Sequence, residues 1–312
     1  MFLVGVGRSG TSLLQNMLNS SPEIAFLPEN SFLRRVVFSG RFSKLRRSYD
    51  RRGLAEQLES DHAFERLKMN RRDIEACLSE HDGGVTLFRR VVDHWGPTNG
   101  VALAGDKDPR LVEFIPSLSR AFPDAFLIHI YRDPRDVALS KTKASWSKDR
   151  AFIWNVFGGR VQLDIARRAG AALFGERYLE VRYETLLNDP ETVIRRICQK
   201  IDLRYDANMM NPALGGEKLV ASNELDWKRN SLKPVDADNR DKWKNGLSAQ
   251  QAALVERSHR AHMQRLNYAP STSPAALGPI SRLWVAVQSA TIAILAPVYL
   301  NYRLWTQSKS QD

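Results

Sequence analysis

Short runs of apolar residues alternate along the chain with longer segments in which apolar positions recur at helical spacing. The short runs predict strands at residues 2–6, 24–26, 101–104, 125–131 and 178–182. The segments between them predict helices, most clearly over residues 11–18 and 190–201. Short apolar strands separated by helices are typical of a parallel sheet that is buried on both faces. The pattern therefore predicts an α/β fold with a parallel sheet flanked by helices.

Two further regions lie outside this alternation. Residues 34–100 are mostly helical in pattern and basic at their start, which predicts a helical cap or insert beside the sheet. Ser248 is a predicted N-cap for a single late helix. Prolines and serines over residues 270–274 are typical of a linker. We therefore expect a folded domain over residues 1–269, followed by a linker and tail over residues 270–312.

The tail contains an uncharged segment over residues 283–300, flanked by Arg282 and Arg303. As a helix it would be about 27 Å long, slightly short of the hydrocarbon thickness of a bilayer. Aromatic residues near both ends, such as Trp284 and Tyr302, fit a membrane interface, whereas polar residues inside the segment disfavour a spanning helix. The tail predicts either a packed or oligomer-forming helix, or a segment associated with a membrane.

The balance of charge narrows the classes of partner. Lys and Arg number 46 against 35 Asp and Glu, so the net charge is +11, which favours anionic ligands such as nucleotides. The two cysteines, Cys77 and Cys198, lie far apart, which excludes a disulfide scaffold and a zinc ribbon. The first apolar run is too short for a secretory signal. We expect a cytoplasmic protein, associated with a membrane if the tail binds one.

A glycine-rich loop, GVGRSGTS at residues 5–12, follows the first predicted strand and precedes a helix. Gly5 and Gly10 have the spacing of a nucleotide-binding P-loop, but Thr11 stands where the P-loop has its lysine. Glycines let backbone N–H groups approach an anion, and the helix that follows adds a positive dipole. Without the lysine, a single phosphate fits better than a triphosphate with Mg²⁺. A turn that binds nothing and a dinucleotide loop are the alternatives.

A second polar loop, YRDPRDVALS at residues 131–140, follows the strand predicted at 125–131. Asp133 and the proline after it are typical of a helix start. Arg132 at the strand end and Ser140 two turns into the helix would then converge on a second anion. A charged helix start without a ligand is the alternative. Two anion sites at the ends of parallel strands predict a ligand such as a nucleotide with phosphates at both ends.

These loops resemble those of the sulfotransferases that use 3′-phosphoadenosine 5′-phosphosulfate (PAPS), and the resemblance extends over roughly residues 2–268. GVGRSGTSLL is similar to the family's 5′-phosphosulfate loop, and IYRDPRDVALS to its 3′-phosphate motif. Other motifs are closest to the carbohydrate and tyrosylprotein branches. The resemblance implies PAPS as the donor, 3′,5′-ADP as the product, and no metal.

The resemblance also implies which residues hold the donor. Those at the 5′ end would be Arg8, Ser9, Gly10, Thr11 and Ser12. Arg132 and Ser140 would hold the 3′-phosphate. Tyr183 matches the family's tyrosine beside the adenine, and Arg240 and Lys242 fall in its late basic loop.

Further positions match residues that carry chemistry in the carbohydrate and tyrosylprotein branches. Glu29 follows the strand predicted at 24–26, where those branches place a glutamate base. Lys107, in the sequence DKDP, matches a lysine that faces the transferred group, and Arg8 would stabilise charge beside it. No histidine has the context of the histidine base used by small-molecule sulfotransferases. The alternative for Glu29 is a solvated loop acid or helix cap, and for Lys107 a surface salt bridge with a neighbouring aspartate.

The sequence therefore predicts a P-loop-like enzyme that moves a sulfuryl group from PAPS to an acceptor hydroxyl, with Glu29 as general base. The acceptor is open between a glycan, a lipid head group, a tyrosine and a small alcohol. No nucleic acid is expected as a partner, whereas a membrane surface bound through residues 283–300 and a second copy of the chain stay open. The alternative functions are an ATP- or GTP-dependent kinase and a non-catalytic binder of acidic glycans or lipids.

Overall fold

The computed structural model describes the chain apart from residues 80–82, 100, 148, 218, 220–228, 271–276 and 310–312. Within the described residues the sheet has five parallel strands, which are β1 (Phe2–Val4), β2 (Ile24–Phe26), β3 (Leu103–Lys107), β4 (Leu127–Tyr131) and β5 (Tyr178–Arg182). Their order in the sheet is β2-β3-β1-β4-β5. The predicted α/β fold with a parallel sheet is therefore confirmed.

Helices flank the sheet. Those before β3 are α1 (Thr11–Asn19), a π-helical turn (Leu33–Val37), α2 (Arg41–Ser48), α3 (Arg51–Glu59), α4 (His62–Glu65), α5 (Arg71–Cys77) and α6 (Gly84–Asn99). Those between β3 and β5 are a 3-10 turn (Pro109–Phe114), α7 (Ile115–Ala121), α8 (Pro134–Thr142), α9 (Phe152–Phe174) and a 3-10 turn (Gly175–Arg177). After β5 come α10 (Tyr183–Asn188), α11 (Pro190–Lys200), α12 (Pro212–Gly216), α13 (Trp243–Gly246), α14 (Ala249–Ser258), α15 (Arg260–Arg265) and α16 (Pro279–Lys309), with 3-10 turns at Ala207–Met210 and Arg229–Ser231.

The central strand β1 sends alternate side chains to the two faces of the sheet. Phe2 and Val4 pack into an apolar cluster with α9 and the helices of residues 33–99. Leu3 packs into a second cluster with α1, α10 and α11. A strand covered on both faces has no polar side, which is why its sequence is a continuous apolar run.

Strand β3 begins and ends later than the sequence predicts. The apolar run at residues 101–104 is followed by polar residues that look like a loop, but Asp106 and Lys107 pair in register with Phe2 and Leu3. Pairing with β1 therefore extends the strand beyond its apolar part. As a result Lys107 lies at the carboxyl end of β3, and its side chain is completely buried.

The single late helix predicted after Ser248 is in fact two helices. Ser248 caps α14 as predicted, and its hydroxyl accepts a hydrogen bond from the backbone N–H of Gln251 at 3.2 Å. The helix ends at Ser258, whose carbonyl accepts a hydrogen bond from Arg160 of α9. Because that carbonyl is drawn to a side chain of another helix, the chain bends at His259 before α15 begins.

The uncharged tail segment forms the middle of α16, which is longer than the sequence predicts. By length and composition alone, Pro279–Gln307 would suffice to cross a membrane. One face of α16 nevertheless packs on the body of the protein, where Ile292 contacts α9 and α14 and Leu300 contacts α9. Most of the predicted linker falls on residues 271–276, which lie outside the described residues.

Candidate active site

The loops that follow β1 and β4 meet in a cleft of about 530 Å³ at the carboxyl edge of the sheet. β1 and β4 are adjacent parallel strands, so their carboxyl ends lie side by side. Eight of the ten predicted donor residues line this cleft, namely Arg8, Gly10, Thr11, Ser12, Arg132, Ser140, Tyr183 and Lys242. The sheet topology thus brings together two loops that are more than 100 positions apart in the sequence.

Gly10 precedes the first residue of α1 and has a φ of 102°, which only glycine adopts without strain. A Cβ built on Gly10 would lie 2.3 Å from a ring carbon of Tyr183, so the ring of Tyr183 touches the bare backbone of the loop. Arg8 also lies in the left-handed region, with a φ of 79°. Left-handed backbone at a residue other than glycine is uncommon, and such strain is often found at binding sites.

Ser9 lies beneath the cleft and is completely buried. Its hydroxyl donates to the backbone carbonyl of Ile130 at 3.1 Å, and its backbone N–H donates to the carbonyl of Val6 at 3.0 Å. Ser9 therefore fastens the loop to β4, while its neighbours face the cleft.

Arg8 connects the two loops directly, because its Nε donates a hydrogen bond to Oγ of Ser140 at 3.0 Å. Burial, and then the positive charge of the nearby Arg132, lower the pKa of Arg8. Two guanidinium groups thus lie close together on one wall of the cleft. Their mutual repulsion is the kind of electrostatic arrangement that a bound polyanion would relieve.

Arg132 is held from three sides. One of its terminal nitrogens donates to Asp136 at 3.2 Å and to the backbone carbonyl of Asn239 at 3.0 Å. The guanidinium carbon lies 4.5 Å from the ring centre of Tyr183, whose hydroxyl accepts a hydrogen bond from Asn239 at 2.8 Å. The Nε of Arg132 is buried and has no hydrogen-bond partner among the described residues. A positioned cation with an unused buried donor suits an anionic ligand.

Part of the cleft wall could not be found from the motifs. Residues that lie outside both motifs also line the cleft, among them Lys143, Asn230, Asp236 and Asn239. Lys143 follows Ser140 by three positions at the end of α8, and this helical spacing is a signal that would have indicated it. The stretch from residue 230 to 239 has no periodic pattern, and the structure shows that it closes one side of the cleft.

The cleft carries an excess of positive charge. Its described lining has five cationic side chains, Arg8, Arg132, Lys143, Lys233 and Lys242, against the carboxylates Asp136 and Asp236. Arg240 does not belong to this lining, since its guanidinium is at the surface and donates to Asn188 at 2.8 Å. The excess charge inside the cleft favours a ligand with several negative charges.

Glu29 and Lys107 form an ion pair beneath the glycine-rich loop. The Nζ of Lys107 contacts Oε2 of Glu29 and lies 3.4 Å from Oγ of Ser12, at the start of α1. The side chain of Lys107 is completely buried, whereas that of Glu29 is 28% exposed. The structure therefore brings the predicted base and the predicted lysine together, within contact of a residue that lines the cleft.

The two aspartates beside Lys107 have partners of their own, and Lys107 is buried, so its ion pair is not the surface salt bridge given as the alternative. Asp108 pairs with Arg34 at 2.7 Å, and Asp106 accepts a hydrogen bond from Asn30 at 3.0 Å. Burial, and then the charge of Asp108, raise the pKa of Asp106 to about 7.

Histidine and metal chemistry have no visible place in this cleft. No histidine belongs to its described lining. In the part of the chain that the structure describes, there is also no cluster of three or more His, Cys, Asp or Glu side chains suited to a metal ion. The metal-free reaction implied by the sequence stays a prediction.

Similarity to known proteins agrees with this geometry. Among curated proteins, protein-tyrosine sulfotransferase A of Caenorhabditis elegans is 22% identical over 285 residues, which cover 88% of this chain and 68% of that protein. Protein-tyrosine sulfotransferase 1 of Danio rerio is 22% identical over 288 residues, which cover 88% of this chain and 73% of that protein. These relatives span almost the whole sequence at low identity.

Solved structures share the fold. The sulfotransferase domain of the Synechococcus PCC 7002 olefin synthase superposes with a TM-score of 0.54 and 23% identity, over 78% of this chain and 86% of that one. The sulfotransferase domain from the curacin biosynthetic pathway gives a TM-score of 0.59 and 18% identity, over 86% of this chain and 98% of that one.

A family model described as "Sulfotransferase family" matches residues 1–207 of the chain. This match includes β1 to β5 and both loops of the cleft, whereas Arg240 and Lys242 lie beyond it. The chain belongs to the sulfotransferase family, the enzymes that take their sulfuryl group from PAPS.

Proposed function

We propose that this enzyme transfers a sulfuryl group from PAPS, bound in the cleft between the β1 and β4 loops, to the hydroxyl of an acceptor held beside Glu29. The observation that carries the proposal is the convergence of Arg8, Arg132 and Ser140 in one cationic cleft. The cleft volume of about 530 Å³ suits a nucleotide with two anionic ends.

The residues present fit that donor. The cleft has a cationic wall, a glycine whose missing side chain lets Tyr183 approach the loop, and a buried Arg132 Nε without a partner among the described residues. The amino end of α1 faces the cleft through Gly10, Thr11 and Ser12, and such a helix end attracts anions. A phosphosulfate requires hydrogen-bond donors from the backbone and from side chains on the same side of its site.

Within the proposal the two loops have separate roles. Residues 8–12 bind the 5′ end, with Ser9 holding the loop in shape rather than contacting the donor. Arg132 and Ser140 bind the 3′-phosphate, and Tyr183 lies beside the adenine. Of the late basic pair, Lys242 faces the cleft and is assigned to the donor, whereas Arg240 holds its own loop by bonding Asn188. In each case a lining position or a hydrogen bond supports the assignment.

Glu29 is proposed to accept the proton of the acceptor hydroxyl. When bound, PAPS supplies a sulfuryl group that becomes bonded to the acceptor oxygen while 3′,5′-ADP leaves. Lys107 pairs with Oε2 of Glu29, and this ion pair holds the carboxylate in position beside the cleft. The Nζ of Lys107 also lies near Ser12, which places its charge next to the 5′ end of the cleft. Lys107 and Arg8 then stabilise the negative charge that develops during transfer.

For the acceptor, the names of the two relatives favour a protein tyrosine as the first candidate to test. A glycan, a lipid head group and a small alcohol remain the other candidates, because acceptor-binding loops vary most within a fold. Incubation of the protein with ³⁵S-labelled PAPS and cell extract, followed by identification of the labelled product, tests the proposal. Label that stays in PAPS would overturn the enzymatic function and favour the non-catalytic binder.

The kinase alternative lacks support in the site. Thr11 lies at the start of α1 where a P-loop kinase needs its lysine. In the proposal Arg132 and Ser140 bind a 3′-phosphate, which ATP does not have. Both differences favour a donor with a 3′-phosphate.

We propose that residues 1–269 form the catalytic domain, with residues 34–100 as its helical insert, followed by a linker and tail over residues 270–312 whose helix α16 packs on the domain. Cys77 and Cys198 are both buried and unpaired to each other, which fits a reducing, cytoplasmic compartment. Fractionation of cells that express the full chain tests this location.

A further inference from the structure

The outer face of α16 is apolar along nearly its whole length. Leu283, Val287, Ile294 and Val298 expose 58–67% of their surface. Trp284, Tyr302 and Trp305 each expose more than half, and the sequence holds no charged residue between Arg282 and Arg303. A contiguous exposed apolar face of this kind marks a binding surface.

The inner face of the same helix is fixed to the catalytic body. Val285, Ile292, Ala296 and Leu300 are almost completely buried, mainly against α9 and α14. These four residues are seven or four positions apart, so they form one stripe along the helix. The helix therefore has one side that belongs to the protein core and one that does not.

The carboxyl end of α16 is also tied down by polar contacts. Gln307 donates to the backbone carbonyl of Glu113 at 2.5 Å and accepts a hydrogen bond from Ser117 at 3.4 Å. Arg303 pairs with Glu113 at 3.5 Å and lies over the ring of Phe114 at 4.5 Å. To stand upright in a bilayer, the helix would have to break these contacts and expose its buried stripe. A helix of 31 residues, about 46 Å long, instead lies flat along the body.

The apolar face continues beyond α16. Tyr299 contacts Phe157 of α9, with ring centres 5.8 Å apart, and Phe157 in turn contacts Trp154 at 5.9 Å. Trp154 is 57% exposed. Exposed tryptophans and tyrosines around an aliphatic centre are typical of residues that lie at the level of lipid head groups.

We propose that the outer face of α16, together with Trp154, docks on the surface of a bilayer that contains anionic lipids, with the helix parallel to the membrane plane. The net charge of the protein favours an anionic membrane over a second copy of the chain as the partner of this face. Two copies that each carry a net charge of +11 repel each other, whereas an anionic leaflet attracts them. Amphipathic helices that lie in the interface plane combine an apolar face with such electrostatic attraction.

Vesicle flotation of the full-length protein tests this docking. We expect the protein to float with phosphatidylcholine vesicles that contain phosphatidylserine, and less with phosphatidylcholine alone. The double variant Ile294→Asp/Val298→Asp places two charges on the outer face and should bind at least about tenfold more weakly. Leu214→Asp is the matched control, because Leu214 is 52% exposed on α12, away from this face, and it should float like the wild type.

Equal flotation of the double variant and the wild type would overturn the proposal, and so would a failure of the wild type to float. A stable dimer that the double variant dissociates, without vesicle binding, would assign the face to a second copy. Resistance of the membrane-bound protein to extraction by alkaline carbonate would show a spanning helix instead. If the variant does not fold, tryptophan quenching by lipids brominated near the head group tests the wild type directly, and its absence would contradict the docking.

Discussion

The backbone of Gly10 touches the ring of Tyr183, although 173 positions separate them in the sequence. A single added methyl group at Gly10 would meet the ring at 2.3 Å. Arg132 lies over one face of this ring, and the hydroxyl of Tyr183 accepts a hydrogen bond from Asn239. The position of the glycine-rich loop is therefore coupled to that of the arginine on the opposite loop through one aromatic side chain.

Gly10→Ala should weaken both the fold and the binding of 3′,5′-ADP. The new methyl group clashes with Tyr183, and the φ of 102° strains any residue except glycine, so we expect a loss of more than about 1 kcal/mol of unfolding free energy. Gly158→Ala is the control, since a Cβ at Gly158 of α9 meets open space. It should stabilise the helix by about 0.5–1 kcal/mol, as alanine does relative to glycine. Chemical denaturation measures both, and an unchanged Gly10→Ala protein would contradict the proposed contact.

Arg132→Ala should remove the preference of the enzyme for a 3′-phosphate. For the wild type, 3′,5′-ADP should raise the melting temperature more than 5′-AMP or ATP does, because ligands stabilise the state that binds them. The variant should respond to 3′,5′-ADP and 5′-AMP alike. Arg240→Ala removes an arginine that lies outside the cleft lining and should keep the wild-type preference. Equal stabilisation of the wild type by ATP with Mg²⁺ would favour the kinase alternative.

Glu29→Gln should lower turnover by about 10²- to 10⁴-fold, the usual contribution of a positioned general base. The amide keeps the size of the side chain but accepts no proton at neutral pH, so affinity for 3′,5′-ADP should change little. Glu23→Gln is the control at the other end of β2, away from the cleft, and it should be fully active.

Lys107→Met extends the same test, because it removes the partner of Glu29 while keeping a long side chain. It should also lower turnover, and the double variant with Glu29→Gln should lose less than the product of the single effects, since both residues act on one transition state. Multiplicative effects would show that the two residues act independently, and a fully active Glu29→Gln enzyme at saturating acceptor would exclude Glu29 as the base.

Asp106→Asn should make stability less dependent on pH. Burial raises the folded-state pKa of Asp106 to about 7, above its unfolded value of about 3.9. The protonated carboxyl therefore stabilises the fold fully below about pH 4, and this contribution is lost as the pH rises to about 7. Between about pH 4 and a pH above 7, the unfolding free energy of the wild type should fall by up to about 4 kcal/mol relative to that of the Asp106→Asn variant. Urea unfolding of both proteins at pH 5 and pH 8 measures the difference, and a gap that does not widen with pH would refute it.

The sequence alone predicts a strand where the local run of residues is as apolar as its buried position in the fold requires. The strands β1 and β4 are covered on both faces, so each is an apolar run that needs no knowledge of its neighbours. The end of β3 is different. Asp106 and Lys107 look like loop residues, and only pairing with Phe2 and Leu3, about 100 positions away, makes them part of a strand.

The residues of the site divide in the same way, into those that a local motif indicates and those that only the fold brings to the cleft. The spacing of the two motifs indicates Arg8, Arg132 and Ser140, and all three line the cleft. Spacing does not reveal which of several consecutive hydroxyl groups faces a ligand, and the side chain of Ser9 bonds the backbone of Ile130 instead. The role of Asn239 depends on how a stretch without periodicity folds back across the cleft, which no local pattern encodes.

β2 and β3 lie next to each other in the sheet, yet the chain between them, residues 27–102, makes a long helical excursion. No residue of this excursion belongs to the described lining of the donor cleft. Glu29 lies at its first turn, while Lys107 follows at the end of the strand to which it returns. The start of the excursion is nevertheless fastened to the end of β3, because Asn30 donates to Asp106 and Arg34 pairs with Asp108. The position of the proposed base therefore depends on the strand that carries Lys107, whereas the outer helices of the excursion can vary without changing a residue of the described cleft lining.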